Sequence, residues 1–171
     1  MKTEQNFTVL FLILAAIQLV ITNFLNFGPF VTLSLLPTMM LCLPMDRHCP
    51  RALLTAALLA LTVDVLAEGT WGLNMAALLP VALIRRPLVA RIFGSDYPER
   101  NEDFNFRKNG FASIAFAIFL CSALFMLIYI WADSAGTRSF FYNLVRFVVS
   151  TTLNTLLGLV AAHVLTPDGR R

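Results

Sequence analysis

Long runs of apolar residues that carry almost no charge constrain this chain more than any other feature. The runs Phe7 to Phe24 and Phe111 to Trp131 contain no charged residue. Such runs approach the ~20 apolar residues that a helix needs to cross the hydrocarbon of a bilayer. Charged residues make up 13% of the 171 residues, against ~25% in an average soluble domain. The sequence therefore predicts an all-α, polytopic membrane protein in which residues 1–171 form one domain.

Six transmembrane helices are predicted from these runs and from the residues that interrupt them. Their approximate bounds are Phe7–Phe24, Phe30–Met45, Arg51–Ala67, Leu73–Arg86, Phe111–Trp131 and Phe140–Leu165. Pro37 predicts a kinked or half-broken second helix, which a membrane tolerates only where protein covers the freed carbonyl. The segment PLVARIF, residues 87–93, has two interpretations: the snorkelling end of helix four, or an interfacial helix lying on the membrane. Residues 94–109 form a polar loop.

The distribution of lysine and arginine predicts the orientation. Six crossings place both termini on one side, and eleven of the thirteen Lys and Arg residues then fall on that side. The opposite loops carry only Arg138, and Arg146 lies within helix six. The positive-inside rule makes the basic side cytoplasmic, with both termini. The net charge of +3 is therefore interpreted as a sign of topology, and nucleic acid is not expected as a partner.

Two charges, Asp64 and Arg146, lie inside apolar helices. Helix three rises from the cytoplasm and helix six descends from outside, so both residues are predicted at similar depth in the outer leaflet. An unpaired charge costs ~2.5–3.5 kcal/mol at a membrane centre on insertion scales. We therefore hypothesise an Asp64–Arg146 pair that joins helices three and six. A carboxylate wetted from the outer surface and a ligand-binding carboxylate remain as alternatives for Asp64.

The other polar residues receive structural interpretations. Glu68 is interpreted as a solvated helix end, and Asn74 as an N-cap that closes the turn after helix three. Asn154 is expected to bond a neighbouring helix, as polar residues do in membranes, and Gln18 likewise. His163 is expected at the cytoplasmic interface.

Motifs of catalysis and metal binding are missing from the sequence. There is no Gly-x-Ser-x-Gly, no His-Glu-x-x-His and no glycine-rich loop with lysine. Cys42, Cys49 and Cys121 lack metal-ligand spacing, and a structural disulfide is not expected. Asp64 and Asp133 both lie toward the outside, but Asp133 is interpreted as part of an ordinary polar turn. We therefore expect that the protein is not an enzyme and that it binds no metal and no cofactor.

One stretch resembles a known family. An aspartate near a helix end, a glycine-rich turn, Gly-x-Asn, an apolar helix and a basic segment follow one another in residues 60–93. This pattern resembles the MreD family of bacterial rod shape-determining membrane proteins, and the last helix, with Asn154 near its middle and a basic tail, is similar too. The matching residues are Asp64, Gly69, Gly72, Asn74, Arg85, Arg86, Arg91, Arg170 and Arg171. The resemblance covers the whole chain in layout, but the polar loop from Asp96 to Lys108 is not part of it.

The resemblance implies a membrane scaffold. Proteins similar to MreD lie in the bacterial inner membrane, bind MreC, and link cytoplasmic MreB filaments to the enzymes of lateral wall synthesis. Their fold is similar to that of the substrate-binding subunits of energy-coupling-factor vitamin transporters. In this chain, Arg85, Arg86 and Arg91 would then contact filament-associated partners or anionic lipid. Trp71 and Glu68 are further candidate partner contacts, and self-association is left open.

A transport subunit is the rival interpretation. It shares the six-helix layout and would keep a pocket open to the outside. Asp64, Glu68, Trp71 and Asn74 would contact a vitamin-sized ligand there.

Overall fold

A computed structural model describes residues 7–24, 28–43, 49–69, 72–94 and 110–165. Within these ranges all regular secondary structure is helical and there is no strand, which confirms the predicted all-α class. The helices are α1 (Phe7–Phe24), α2 (Leu36–Cys42), α3 (Cys49–Val63), α4 (Leu73–Phe93), α5 (Phe111–Ser134) and α6 (Phe140–Leu165). The bounds of α1 and α6 are those that the sequence predicts.

Two of these helices, α5 and α6, are long and apolar enough to cross a membrane, judged by length and composition. Shorter apolar stretches cover Val9–Phe24 and Ala52–Ala67. The crossing of a membrane by all six helices stays a prediction.

The shortest helix, α2, lies at the centre of the bundle. All seven of its residues are buried, and it contacts each of the other five helices. The most extensive helix contacts are those of α5 with α4 and with α6, followed by those of α3 with α4. The core is thus a bundle whose long helices surround a short apolar one.

The prediction for the second helix was wrong in its bounds. It begins at Leu36 rather than at Phe30 and ends at Cys42, and residues 31–35 are not helical. Pro37 therefore does not interrupt a helix but lies in the first turn of α2. Proline is tolerated in that turn because its missing N–H would have no partner within the helix.

The third helix reaches its predicted end near Ala67, but it changes type on the way. The α-helix stops at Val63 and is followed by one π-helical turn, Asp64–Glu68. Gly69 closes this turn in the left-handed conformation, with φ 64°, and its N–H donates to the carbonyl of Asp64 at 2.9 Å. Single π-helical turns are frequent at functional sites. The turn places the Asp64 side chain at the start of α4.

The fourth helix continues without a break to Phe93. It includes Pro80 and Pro87, so residues 87–93 are the end of α4 and the interfacial-helix interpretation was wrong.

Trp71, the side chain of Glu68 and the loop after Gly94 lie outside the described residues. The thiols of Cys42 and Cys121 are free and buried.

Candidate functional site

Asp64 is the most completely enclosed charge in the described chain, with 0% of its surface exposed. Its Oδ1 accepts hydrogen bonds from the backbone N–H of Asn74, at 3.0 Å, and from Asn74 Nδ2, at 2.9 Å. Its Oδ2 accepts from the N–H of Gly72 at 3.0 Å and, at 3.4 Å, from that of Met75. Both carboxylate oxygens are therefore occupied by groups at the start of α4.

This arrangement compensates the charge without a cation. The first N–H groups of a helix have no partner within the helix, and the helix dipole places partial positive charge there. Asp64 supplies the anion from the preceding element. We call this unit, formed by Asp64, Gly69, Gly72 and Asn74, the aspartate cap.

The aspartate cap corrects three predictions. Asp64 does not pair with Arg146, because backbone and side-chain N–H groups close to it in sequence satisfy its charge. It is not wetted from the surface either. Asn74 is not the N-cap residue: Gly72 holds that position with φ 88°, and the Asn74 side chain is a donor to Asp64.

Arg146 has other partners. Its Nη1 lies 2.6 Å from Asp133 Oδ2, and its Nε and Nη2 donate to Thr32 Oγ1 at 3.1 and 2.8 Å. The side chain of Arg146 is 10% exposed and that of Asp133 is 31% exposed. Asp133, interpreted from sequence as a residue of an ordinary polar turn, lies instead in the last turn of α5. The tight connection from α5 to α6 brings it to Arg146.

Arg146 is the first member of a polar stripe on α6. Arg146, Ser150 and Asn154 are spaced by four residues and therefore share one face of the helix. Ser150 Oγ accepts the N–H of Thr32 at 3.0 Å, and Asn154 Oδ1 accepts that of Ser34 at 2.8 Å. Asn154 Nδ2 also donates to the carbonyl of Thr32 at 3.0 Å. The stripe thus provides side-chain partners for the N–H groups of Thr32 and Ser34 and for the carbonyl of Thr32.

Gln18 of α1 adds a further hydrogen bond to this segment. Its Oε1 accepts the N–H of Leu35 at 2.7 Å, and its Nε2 donates to Thr22 at 2.9 Å within α1. Non-helical backbone is tolerated at membrane depth only where protein satisfies it. Asn154 and Gln18 therefore bond a non-helical segment rather than a neighbouring helix, which corrects their predicted partners.

The roles of three residues in these contacts were not predicted from sequence: Asp133, Thr32 and Ser150. A signal for the stripe was available in the four-residue spacing of Arg146, Ser150 and Asn154. No comparable signal marks Thr32 or Asp133, because their contacts depend on how the helices pack.

The three arginines of α4 differ in exposure. Arg86 and Arg91 are exposed, whereas Arg85 is only 3% exposed. No described residue accepts a hydrogen bond from Nε or Nη2 of Arg85. The prediction that Arg85 contacts a partner at the surface was therefore wrong. Arg86 and Arg91 are accessible to a partner. His163 is also exposed.

The ion pair between Asp133 of α5 and Arg146 of α6 can be tested by mutation. We expect Asp133→Asn and Arg146→Gln to be coupled in a double-mutant cycle by about 1–2 kcal/mol, between the values for exposed and for buried pairs. The measurement is the free energy of unfolding of the purified protein in detergent. Asp64→Asn combined with Arg146→Gln is the control, and these two losses should add. Coupling of Arg146 to Asp64 but not to Asp133 would contradict the observed pairing.

Within the described ranges, no three His, Cys, Asp or Glu side chains are grouped as metal ligands. Compared with known proteins, the chain matches no family model, no curated protein and no solved structure.

Proposed function

We propose that this chain is a non-enzymatic membrane scaffold of the MreD type. In the bacterial inner membrane it would bind an MreC-like single-span protein and link cytoplasmic MreB filaments to lateral peptidoglycan synthesis, and so control cell shape. The observation that carries the proposal is the aspartate cap. Residues that give the sequence its resemblance to MreD contact one another there, and they join α3 to α4.

The same observation favours a scaffold over a vitamin-binding subunit. Such a subunit would need Asp64 and Asn74 free to contact a ligand. Both oxygens of Asp64 are occupied by the start of α4, and Asn74 is one of the donors. A polar group whose hydrogen bonds are all made inside the protein stabilises the fold and is not free to bind a small molecule.

A multi-pass topology with cytoplasmic termini is part of the proposal. The length and apolar character of α5 and α6 support it, as does the asymmetric distribution of Lys and Arg. The hydrogen bonds that Gln18, Ser150 and Asn154 accept from backbone N–H groups in residues 32–35 are further support. A hydrocarbon environment requires such protein partners for non-helical backbone. The exposed Arg86 and Arg91 would then lie toward the cytoplasm.

Affinity purification of the full-length chain from bacterial membranes tests the proposal. We expect one MreC-like single-span protein to co-purify, together with an actin-like filament protein. Arg86→Glu should greatly reduce the recovery of the filament protein. Charge reversal at an exposed contact removes the attraction to an acidic partner and adds repulsion. The recovery of each partner is measured by quantitative mass spectrometry.

Arg138→Glu is the matched control, since Arg138 is exposed but lies at the opposite end of the bundle. It should leave both partners in place. Recovery of a tightly bound vitamin-sized compound together with a pair of ATPases, and no single-span protein, would refute the scaffold and favour the transport subunit.

A further inference from the structure

An apolar groove of about 520 Å³ lies between α4 and α5. Its lining includes Ile84, Leu88, Arg91 and Ile92 from α4 and Phe116 and Leu120 from α5. Residues 84, 88, 91 and 92 have the spacing of one helix face, and residues 116 and 120 are one turn apart. The groove thus follows two packed helices, and its volume lies within the roughly 300–1,000 Å³ range of ligand sites.

Charge is confined to one end of this groove. Of the lining residues named, only Arg91 is charged; it is exposed and lies in the last turn of α4. The other five are hydrophobic, and Ile84 and Phe116 are themselves 43% and 54% exposed. A ligand that fits must therefore combine a long apolar part with an anionic group at one end.

We infer that this groove binds one anionic glycerophospholipid, with an acyl chain between α4 and α5 and the headgroup phosphate on Arg91. This inference rests on the proposed location of the chain in a membrane. Arginine is suited to phosphate because its planar guanidinium donates two parallel hydrogen bonds. In the proposed topology Arg91 faces the cytoplasmic leaflet, whose anionic lipids attract basic residues near the surface.

The dimensions favour a lipid over a partner helix. From Ile84 to Ile92 the groove extends roughly 12 Å along α4, at 1.5 Å per residue. A helix that crosses the ~30 Å hydrocarbon core would extend well beyond this groove, so the groove would contact only part of it. A short apolar groove that includes one cation matches part of an acyl chain attached to a phosphate.

Lipid retention by the purified full-length chain tests this inference. Phosphatidylglycerol and phosphatidylcholine with identical acyl chains are offered at equal concentration, and bound lipid is counted by native mass spectrometry. Wild type is expected to retain one lipid and to prefer phosphatidylglycerol about fivefold, the scale of one arginine near an anionic headgroup. Arg91→Gln should remove this preference. Ile84→Trp, which fills the groove, should reduce retention of both lipids.

Arg138→Gln removes the same charge at the other end of the bundle and should keep the preference. Equal retention of both lipids by wild type would overturn the inference, as would equal losses in Arg91→Gln and Arg138→Gln. Loss of the single-span partner in Ile84→Trp with unchanged lipid retention would assign the groove to that protein instead. Lipid selectivity that depends on Arg91 without any protein partner would uphold the lipid site while refuting the scaffold.

Discussion

Replacement of Asp64 by asparagine is expected to lower the free energy of unfolding by about 2–4 kcal/mol, because hydrogen bonds to a charged group contribute ~1.5–3 kcal/mol. The carboxylate accepts hydrogen bonds from three backbone N–H groups and from Asn74 Nδ2. Asparagine has nearly the same shape but presents an NH₂ group where one acceptor oxygen stood, and it removes the negative charge at the start of α4. Thermal and denaturant unfolding in detergent measure the loss.

Thr62→Val is the control for this substitution. Thr62 is exposed, and its hydroxyl donates only to the carbonyl of Leu58 in its own helix, so the change should stay within about 0.5 kcal/mol. Asn74→Ala provides a second check, because Asn74 donates to the same carboxylate. The loss of unfolding free energy in the double variant should be smaller than the sum of the losses in Asn74→Ala and in Asp64→Asn. Full additivity would show that the two side chains do not share this contact.

Replacement of Gly158 by alanine is expected to destabilise the protein by about 1–3 kcal/mol, the usual cost of overpacking. A Cβ atom at this position would overlap Thr38 Oγ1 and would lie 2.7 Å from Ile118 Cγ2. Gly158 therefore marks a close approach of α6 to α2 and α5. The midpoint of thermal unfolding, compared with that of wild type, measures the effect.

The sign of this effect is informative, because alanine is ~1 kcal/mol more favourable than glycine in a helix interior. Without close packing, Gly158→Ala would stabilise the protein, and that result would contradict the observed contact. Thr38→Ala in the same chain should restore part of the loss. The Thr38 hydroxyl has no hydrogen-bond partner among the described residues, so its removal alone should cost little.

Several parts of the fold could be predicted from sequence. The bounds of α1 and α6 follow from long apolar runs that end at polar or helix-breaking residues. The sequence also identified Asp64, Arg146 and Asn154 as polar groups in apolar helices, and all three are buried. These predictions depend on local composition and spacing, which the chain carries in each segment.

The second helix shows where this reasoning ends. Pro37 is compatible both with a kink inside a helix and with the first turn of a later one. The choice depends on whether residues 31–35 can find hydrogen-bond partners outside a helix. Those partners are Gln18, Ser150 and Asn154, which lie far away in sequence and reach the segment only in the packed bundle.

By itself the sequence determined that this chain forms apolar helices and that the buried charges Asp64 and Arg146 need compensation. Tertiary structure alone decided which groups compensate them: the start of α4 for Asp64, and Asp133 with Thr32 for Arg146. The physical reason is that a buried anion is stabilised by opposite charge or by hydrogen-bond donors, and a buried cation by opposite charge or by acceptors. Backbone N–H groups are donors, so they can stabilise the Asp64 carboxylate without an arginine. Every residue except proline carries such an N–H group, so residue identity does not reveal which one will be near.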